Sequence, residues 1–163
     1  MRGWSVVRIP VALALGAVLF CSSASAFETA FWVWQRNEPL SEVERRELSA
    51  QGVRTIYWQA GELENAGETW RWKARFALPQ SRAGELRFVP VVRLESREKS
   101  PFSMRSIEAL LGGLSAVTKG AVELQLDYDA PDRLIEEYAA ALKKIHALVP
   151  KLTITALPGW SRS

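Results

Sequence analysis

Five short segments rich in β-branched and aromatic residues recur along the chain, and segments with helical periodicity separate most of them. This alternation predicts parallel strands joined by crossover connections, because a parallel pair of strands needs a connection long enough to return to the same end of the sheet. The sequence therefore predicts an α/β fold. The predicted strands are residues 31–35, 53–60, 86–94, 122–129 and 152–157.

Helix signals lie in two of the connections. Ser41 and Glu44 have the spacing of a capping box, and Gly52 is placed to end the helix that they begin. Apolar residues at helical spacing predict a second helix over residues 103–119, with Gly120 as its stop. Both connections are therefore predicted to be helical crossovers.

The remaining connections differ from each other. A stripe of apolar residues predicts the strongest helix after the fourth strand, beginning at Pro131, since proline favours the first turn of a helix. Residues 61–84 have no such stripe. Within them, residues 68–76 alternate like a short hairpin strand, so we predict that a hairpin replaces the helix there.

Two architectures satisfy this order of elements: the N-terminal portion of a (β/α)8 TIM barrel with about five strands, and a five-stranded doubly wound parallel sheet. Length favours the doubly wound sheet, because a complete barrel typically needs about 250 residues and this chain has 163. Strand chemistry favours the barrel. Strands covered on both faces are apolar on both sides, whereas Glu123 and Gln125 make one face of the fourth strand polar. We expect the barrel portion, with the doubly wound sheet as the alternative.

The N-terminus is typical of a secretory signal peptide, residues 1–26. Arg2 and Arg8 precede an apolar run, and small residues follow that run up to Ala26. The run is too short to span a bilayer comfortably. We expect residues 27–163 to form one exported domain, periplasmic or extracellular, with no stable membrane span after cleavage.

Cleavage at this position would remove the only cysteine, Cys21. A packed core then has to stabilise the domain without disulfides, thiolate chemistry or cysteine-bound zinc. A lipoprotein anchor at Cys21 is disfavoured, since bulky Phe20 precedes it. Removal of Arg2 and Arg8 from the 21 basic side chains leaves a near balance with the 18 acidic ones. This balance gives no support for nucleic-acid binding.

Two carboxylates mark the end of the fourth predicted strand. Because side chains alternate along a strand, Asp127 and Asp129 are predicted to project from one face. The carboxyl ends of parallel strands are where α/β barrels hold catalytic residues, and carboxylate pairs hydrolyse glycosidic bonds. We therefore predict a catalytic pair. Asp129 also suits a helix N-cap, Asp127 also suits an ion pair with Arg93, and Glu62 is a second candidate for the acid.

Polar and aromatic side chains near other strand ends are predicted to bind a carbohydrate. Indole rings stack on the apolar faces of sugars, although most tryptophans of this chain are expected in the core. The chain has one histidine and no cysteine after the signal peptide, so we predict neither a metal nor a cofactor. The predicted substrate-binding residues are Arg93, Gln59, Trp34, Trp58, Glu62, Glu95 and Trp160.

Five motifs occur in chain order: FWVWQR (31–36), YWQAGEL (57–63), FVPVVRLE (88–95), LDYD (126–129) and ITAL (154–157) with Trp160. Together they resemble a bacterial family, the domain of unknown function 3142. The resemblance implies an exported TIM-barrel domain that is distantly similar to glycoside hydrolases and has no established activity. It also implies family chains about twice as long, so we expect this one to stop soon after the fifth strand, with an open sheet edge.

The acidic strand end is also distantly similar to the Asp-x-Asp-x-Glu strand end of family 18 glycoside hydrolases, in which a carboxylic acid protonates the leaving oxygen. One register puts Pro131 at the position of the acid. We prefer the other register, in which Gln125 replaces an earlier Asp. This similarity implies that Asp129 is the proton donor and that Asp127 is its electrostatic partner.

These observations predict either a glycoside-hydrolase-like, carbohydrate-active domain or a non-catalytic glycan-binding or envelope-associated domain. A truncated fragment without independent activity is a third interpretation. If the partial barrel is genuine, we expect a homodimer that closes two halves into one barrel.

Overall fold

Seven strands form one mostly parallel sheet in the computed structural model, which describes residues 29–80, 82–157 and 160. The predicted signal peptide lies outside the described residues. The strands are β1 (Ala30–Val33), β2 (Thr55–Ala66), β3 (Thr69–Arg75), β4 (Arg82–Ala83), β5 (Leu86–Ser96), β6 (Glu123–Asp127) and β7 (Lys151–Ile154). The helices are α1 (Glu42–Ala50), α2 (Met104–Thr118) and α3 (Ile135–Ile145), and 3-10 turns at Asp132–Leu134 and His146–Leu148 flank α3.

The five parallel strands lie side by side in chain order, β1-β2-β5-β6-β7. Two antiparallel strands extend the sheet: β3 returns along the second half of β2, and β4 pairs with the start of β5. The predicted α/β fold with a parallel sheet is confirmed. The predicted hairpin strand is also confirmed, since β3 and not a helix follows β2.

All five predicted strands are present, but each ends at a residue other than the predicted one, and the differences at β2 and β6 affect the site. β2 continues past residue 60 to Ala66, because β3 provides hydrogen-bonding partners for its second half. β6 ends at Asp127 instead of continuing to residue 129. There the chain turns sharply, with the Ala130 N–H donating to the Tyr128 carbonyl at 2.9 Å.

The helix signals of the first two connections are confirmed. The Ser41 side chain accepts a hydrogen bond from the Glu44 N–H, and the Glu44 carboxylate accepts one from the Ser41 N–H at 2.7 Å. Gly52 and Gly120, each with φ 77°, follow the ends of α1 and α2. A positive φ is inexpensive only for glycine, which explains why these two residues end the helices.

The two faces of the sheet differ in chemistry. On the first, which we call the helix face, Leu124 and Leu126 join apolar residues of α2 and α3 in the larger core cluster. On the second, the polar face, Gln59, Val91 and Gln125 lie side by side in the strand register. The polar face includes Thr55, Tyr57, Gln59, Glu62, Glu64, Arg87, Val89, Val91, Arg93, Glu95, Glu123, Gln125, Asp127, Lys151 and Thr153, as alternation along the paired strands requires.

A second core cluster lies under α1. Leu48 of α1 packs against this cluster, which includes Ile56 and Phe88, two residues that pair in register on the helix face. Since α2 and α3 pack on the same face, all three described helices cover one side of the sheet. Among the described residues, no helix combines the length and the apolar character required to cross a membrane.

Gly113 of α2 faces Leu63 of β2. A Cβ atom at this position would lie 3.4 Å from Leu63 Cδ2, which is an ordinary van der Waals contact. The contact with the sheet therefore does not require glycine here, and Gly113 only lowers the helix propensity of α2.

Candidate functional site

Acidic side chains from three neighbouring parallel strands meet at the carboxyl edge of the sheet. The register aligns Glu62 of β2 with Arg93 of β5, and Arg93 with Asp127 of β6. A cavity of about 300 Å³ lies at this edge, and we call it the acidic cavity. Its charged lining residues are Glu64, Arg93, Glu95, Arg97, Asp127 and Asp129. Four of the predicted site residues are therefore brought together here: Arg93, Glu95, Asp127 and Asp129.

Glu62 and Glu95 form a carboxyl pair beside this cavity. Lys73, which the β3 hairpin supplies, donates hydrogen bonds to Glu95 Oε2 at 2.8 Å and to Glu62 Oε1 at 3.3 Å. The Glu62 side chain is 14% exposed and that of Glu95 is 31% exposed. One ammonium group thus bridges two carboxyl groups from adjacent strands.

The two members of this pair differ in pKa. Contact with the Glu95 carboxyl, followed by burial, raises the pKa of Glu62 above its ordinary value. Hydrogen bonds from Glu62 and Lys73 lower the pKa of Glu95. As the pH falls, Glu62 therefore takes up a proton before Glu95 does, which is the order that an acid and a neighbouring carboxylate need in acid–base chemistry.

Arg93 belongs to the same cluster. Its Nε atom lies 3.5 Å from Glu95 Oε1 and 4.0 Å from Glu62 Oε1. The expected ion pair between Arg93 and Asp127 is wrong, since the ion pairs of Arg93 within the described chain go to the two glutamates. The aligned Asp127, by contrast, has no ion pair or side-chain hydrogen bond to any described residue. Within the described part of the chain, Asp127 therefore lines the cavity with its carboxylate unpaired.

Asp129 lies in the loop after β6, where it is exposed. The prediction that it continues the strand beyond Asp127 is wrong, because the chain turns at Ala130. The alternative N-cap role is wrong as well. Pro131 occupies the cap position of the 3-10 turn without a side-chain hydrogen bond, and α3 begins only at Ile135. Asp129 nevertheless lines the acidic cavity together with Asp127.

Gln59 has a structural role in the described chain. Its side chain is buried, and its Oε1 atom accepts a hydrogen bond from the Gln35 N–H at 2.9 Å. Gln35 has φ 50°, a conformation that is uncommon for a residue other than glycine. Gln59 therefore holds the turn that follows β1, and the structure does not place it in the lining of the acidic cavity.

Two of the three predicted stacking platforms do not reach the acidic cavity. Trp58 projects from the helix face, where it is 1% exposed and packs edge-to-face against Phe88. Trp160 packs against the larger core cluster, and its indole N–H donates to the Ala130 carbonyl at 3.1 Å. The expectation of an exposed platform is therefore corrected for both residues, because each ring serves the core.

Trp34, the third predicted platform, is 42% exposed and belongs to a row of three rings. Trp32 lies between Trp34 and Tyr57, with ring centroids 5.3 Å from each. Sequence reasoning missed Trp32 and Tyr57. The signal for Trp32 was present, because strand alternation places residues 32 and 34 on one face. Tyr57 joins them only through the β1–β2 register.

The described residues contain no group of three or more histidine, cysteine, aspartate or glutamate side chains that could hold a metal ion. Comparison with protein-family models, with curated proteins and with solved structures finds no match for this chain. The site is therefore interpreted from its own geometry.

Proposed function

We propose that this chain is an exported, glycoside-hydrolase-like domain that binds a carbohydrate at the carboxyl edge of its sheet. The observation that carries the proposal is the convergence of acids from β2, β5 and β6 at one cavity. Carboxylates hydrogen-bond to sugar hydroxyl groups and supply acid–base catalysis of glycoside hydrolysis. The partly exposed aromatic row lies toward the edge of the same face and suits stacking on sugar rings.

We propose further that the sheet is the N-terminal portion of a (β/α)8 barrel. Two observations support this. The parallel strands lie in chain order, as in a barrel, whereas a doubly wound sheet reverses its strand order at a switch point. The helices cover one face only, so the polar face corresponds to a barrel lumen. The resemblance to domain of unknown function 3142 and the homodimer stay predictions.

Within this site we assign proton donation to Glu62. Its raised pKa keeps it protonated to a higher pH than an ordinary glutamate, as a general acid requires. Glu95 lies too close to serve as the opposing group, because the two carboxyl groups of a retaining or inverting pair stand roughly 5 to 9.5 Å apart. Asp127, two strands away from Glu62 and unpaired, is the better opposing carboxylate. Asp129 then contacts the substrate.

A panel of reducing-end-labelled glycans tests this assignment. We expect hydrolysis by the wild-type chain and a loss of about 10²- to 10⁴-fold in Glu62→Gln and Asp127→Asn. Glu47→Gln, an exposed acid of α1, is the matched control and should retain full turnover. If Asp129→Asn alone abolishes turnover, Asp129 is the donor. Unchanged hydrolysis in all three site variants would sink the catalytic assignment.

A non-catalytic glycan-binding domain is the second candidate, and Lys73 favours it. An ammonium group bound to both carboxyl groups satisfies them without any substrate. In that case Trp34→Ala should weaken glycan binding by about two- to tenfold, since an aromatic stacking contact contributes roughly 0.5–1.5 kcal/mol. Phe31→Ala, which removes an exposed ring from the opposite face of the same strand, should leave binding unchanged. Binding measured by calorimetry without product release would select this candidate.

A further inference from the structure

A second, larger cavity opens at the amino edge of the sheet, away from the proposed glycan site. Its volume is about 470 Å³, within the range of roughly 300–1,000 Å³ that is usual for small-molecule sites. Most of its lining is apolar. We call it the amino-edge cavity, and its apolar walls include Trp58, Leu78, Phe88, Pro90, Val117 and Val122.

The strand register explains part of the opening. β5 begins at Leu86, but it pairs with β6 only from Val91 onward. On the amino-terminal side of Val91, Pro90 has no N–H to donate to a neighbouring strand. The first residues of β5 pair with the short strand β4. β5 and β6 therefore separate toward their amino ends, and this leaves a gap between Phe88 and Val122.

The missing crossover helix explains the rest. A helix between β2 and β5 would cover the helix face near Trp58, but a hairpin and a loop replace it. The loop is held in place by the Trp58 indole N–H, which donates to the Ala77 carbonyl at 2.9 Å. Leu78, next along this loop, lines the cavity and stays 41% exposed, as Val122 stays 66% exposed at the cavity's other side.

The charges at this cavity favour an anion. Among the described residues, Glu123 is the only acidic one that lines it. The Glu123 carboxylate already pairs with Arg87 and with Lys151, whose Nζ lies 3.1 Å from Glu123 Oε1. Lys119 adds another cation to the lining and has no ion pair to a described residue. Basic charge therefore exceeds acidic charge beside an apolar space.

We propose that the amino-edge cavity binds a small amphipathic carboxylate, of the chemical class of a medium-chain fatty acid. The apolar chain lies between Leu78 and Val122, over the buried rings of Trp58 and Phe88, and it removes the exposed apolar surface of Leu78 and Val122 from water. The carboxylate lies toward Lys119, at the positively charged end of the cavity. This site is independent of the proposed glycan site, because the two lie at opposite edges of the sheet.

Calorimetric titration of the full chain with decanoate, below its micelle concentration, tests the proposal, with decanol as the uncharged probe. We expect saturable binding that is tighter for decanoate than for decanol. Lys119→Met should weaken decanoate binding about three- to fivefold, because an exposed ion pair is worth less than about 1 kcal/mol, and should leave decanol unaffected. Val122→Glu, which adds a negative charge at the rim, should weaken decanoate binding about tenfold.

Lys143→Met is the matched control, since Lys143 is an exposed lysine of α3 outside the cavity lining. It should bind decanoate as the wild-type chain does. Absence of decanoate binding overturns the proposal. Equal affinities for decanoate and decanol overturn the anionic class of the ligand, and an equal loss in Lys119→Met and Lys143→Met overturns the location.

Discussion

The two edges of the sheet use charge in opposite ways. At the amino edge Glu123 is 3% exposed and forms ion pairs with Arg87 and Lys151. Arg87 also donates a hydrogen bond to the Thr55 hydroxyl oxygen at 2.9 Å. These four residues connect β6, β5, β7 and β2. At the carboxyl edge the charges are more exposed, and Asp127 is unpaired among the described residues.

This difference separates the Glu123 network, whose charges are paired with each other, from the acidic cavity, where a charged group is available to a ligand. Removing one partner of a buried ion pair leaves an uncompensated charge, which is costly, whereas exposed pairs contribute little to stability. The buried Glu123 network at the amino edge should therefore matter for folding, and the exposed charges at the carboxyl edge should matter for binding.

The largest expected effect tests the amino edge. Glu123→Gln removes the charge that Arg87 and Lys151 share, and we expect it to lower the free energy of unfolding by about 2–4 kcal/mol, somewhat less than for fully buried partners. Glu64→Gln, an exposed acid of the carboxyl edge, should change it by less than about 0.5 kcal/mol. Urea unfolding measures both. Similar losses in the two variants would remove the distinction between the edges.

A smaller effect tests the hairpin that delivers Lys73 to the carboxyl edge. A Cβ atom at Gly61 would lie 2.5 Å from the Ala74 carbonyl oxygen and 2.6 Å from the Trp72 ring. Gly61→Ala should therefore force β3 away and cost about 1–3 kcal/mol. Gly112→Ala is the matched control, since nothing lies within 4 Å of its Cβ position, and it should stabilise α2 by about 0.5–1 kcal/mol. An unchanged free energy of unfolding in Gly61→Ala would contradict the close contact between Gly61 and β3.

The smallest effect is a pH dependence at the carboxyl edge. Because the folded-state pKa of Glu62 is raised, its stabilising contribution is complete at acidic pH and is lost as the pH rises through that raised pKa. In Glu62→Gln, the side chain at position 62 cannot titrate. The stability of the wild-type chain relative to Glu62→Gln should therefore fall between the ordinary pKa of glutamate and the raised value. Thermal unfolding at a series of pH values measures this, and a constant difference would count against the shared proton.

Much of the fold was predictable from local signals. The capping box of Ser41 and Glu44 and the stop at Gly52 act within a few residues, so the sequence alone reveals them. Alternation also predicted that Arg93 and Asp127 project from strand ends, and the register places them side by side. These features depend on neighbours along the chain or on the order of the strands.

The faces of individual side chains were harder to predict. Trp58 was expected at a strand end, but β3 lengthens β2 and leaves Trp58 in mid-strand on the helix face. A shift of one residue reverses the face of every side chain in a strand, and only pairing with neighbouring strands sets that register. Lys73 was missed for the same reason, since its contacts with Glu62 and Glu95 require the hairpin to return beside β2.

The order of strands and helices, the caps and the alternating polarity of β6 were therefore determined by the sequence itself, because each rests on residues close together in the chain. The tertiary structure alone decided the Lys73 bridge between Glu62 and Glu95, the ionic network around Glu123 and the gap between β5 and β6. Each of these depends on contacts between strands that are distant in the sequence, so no local pattern contains them.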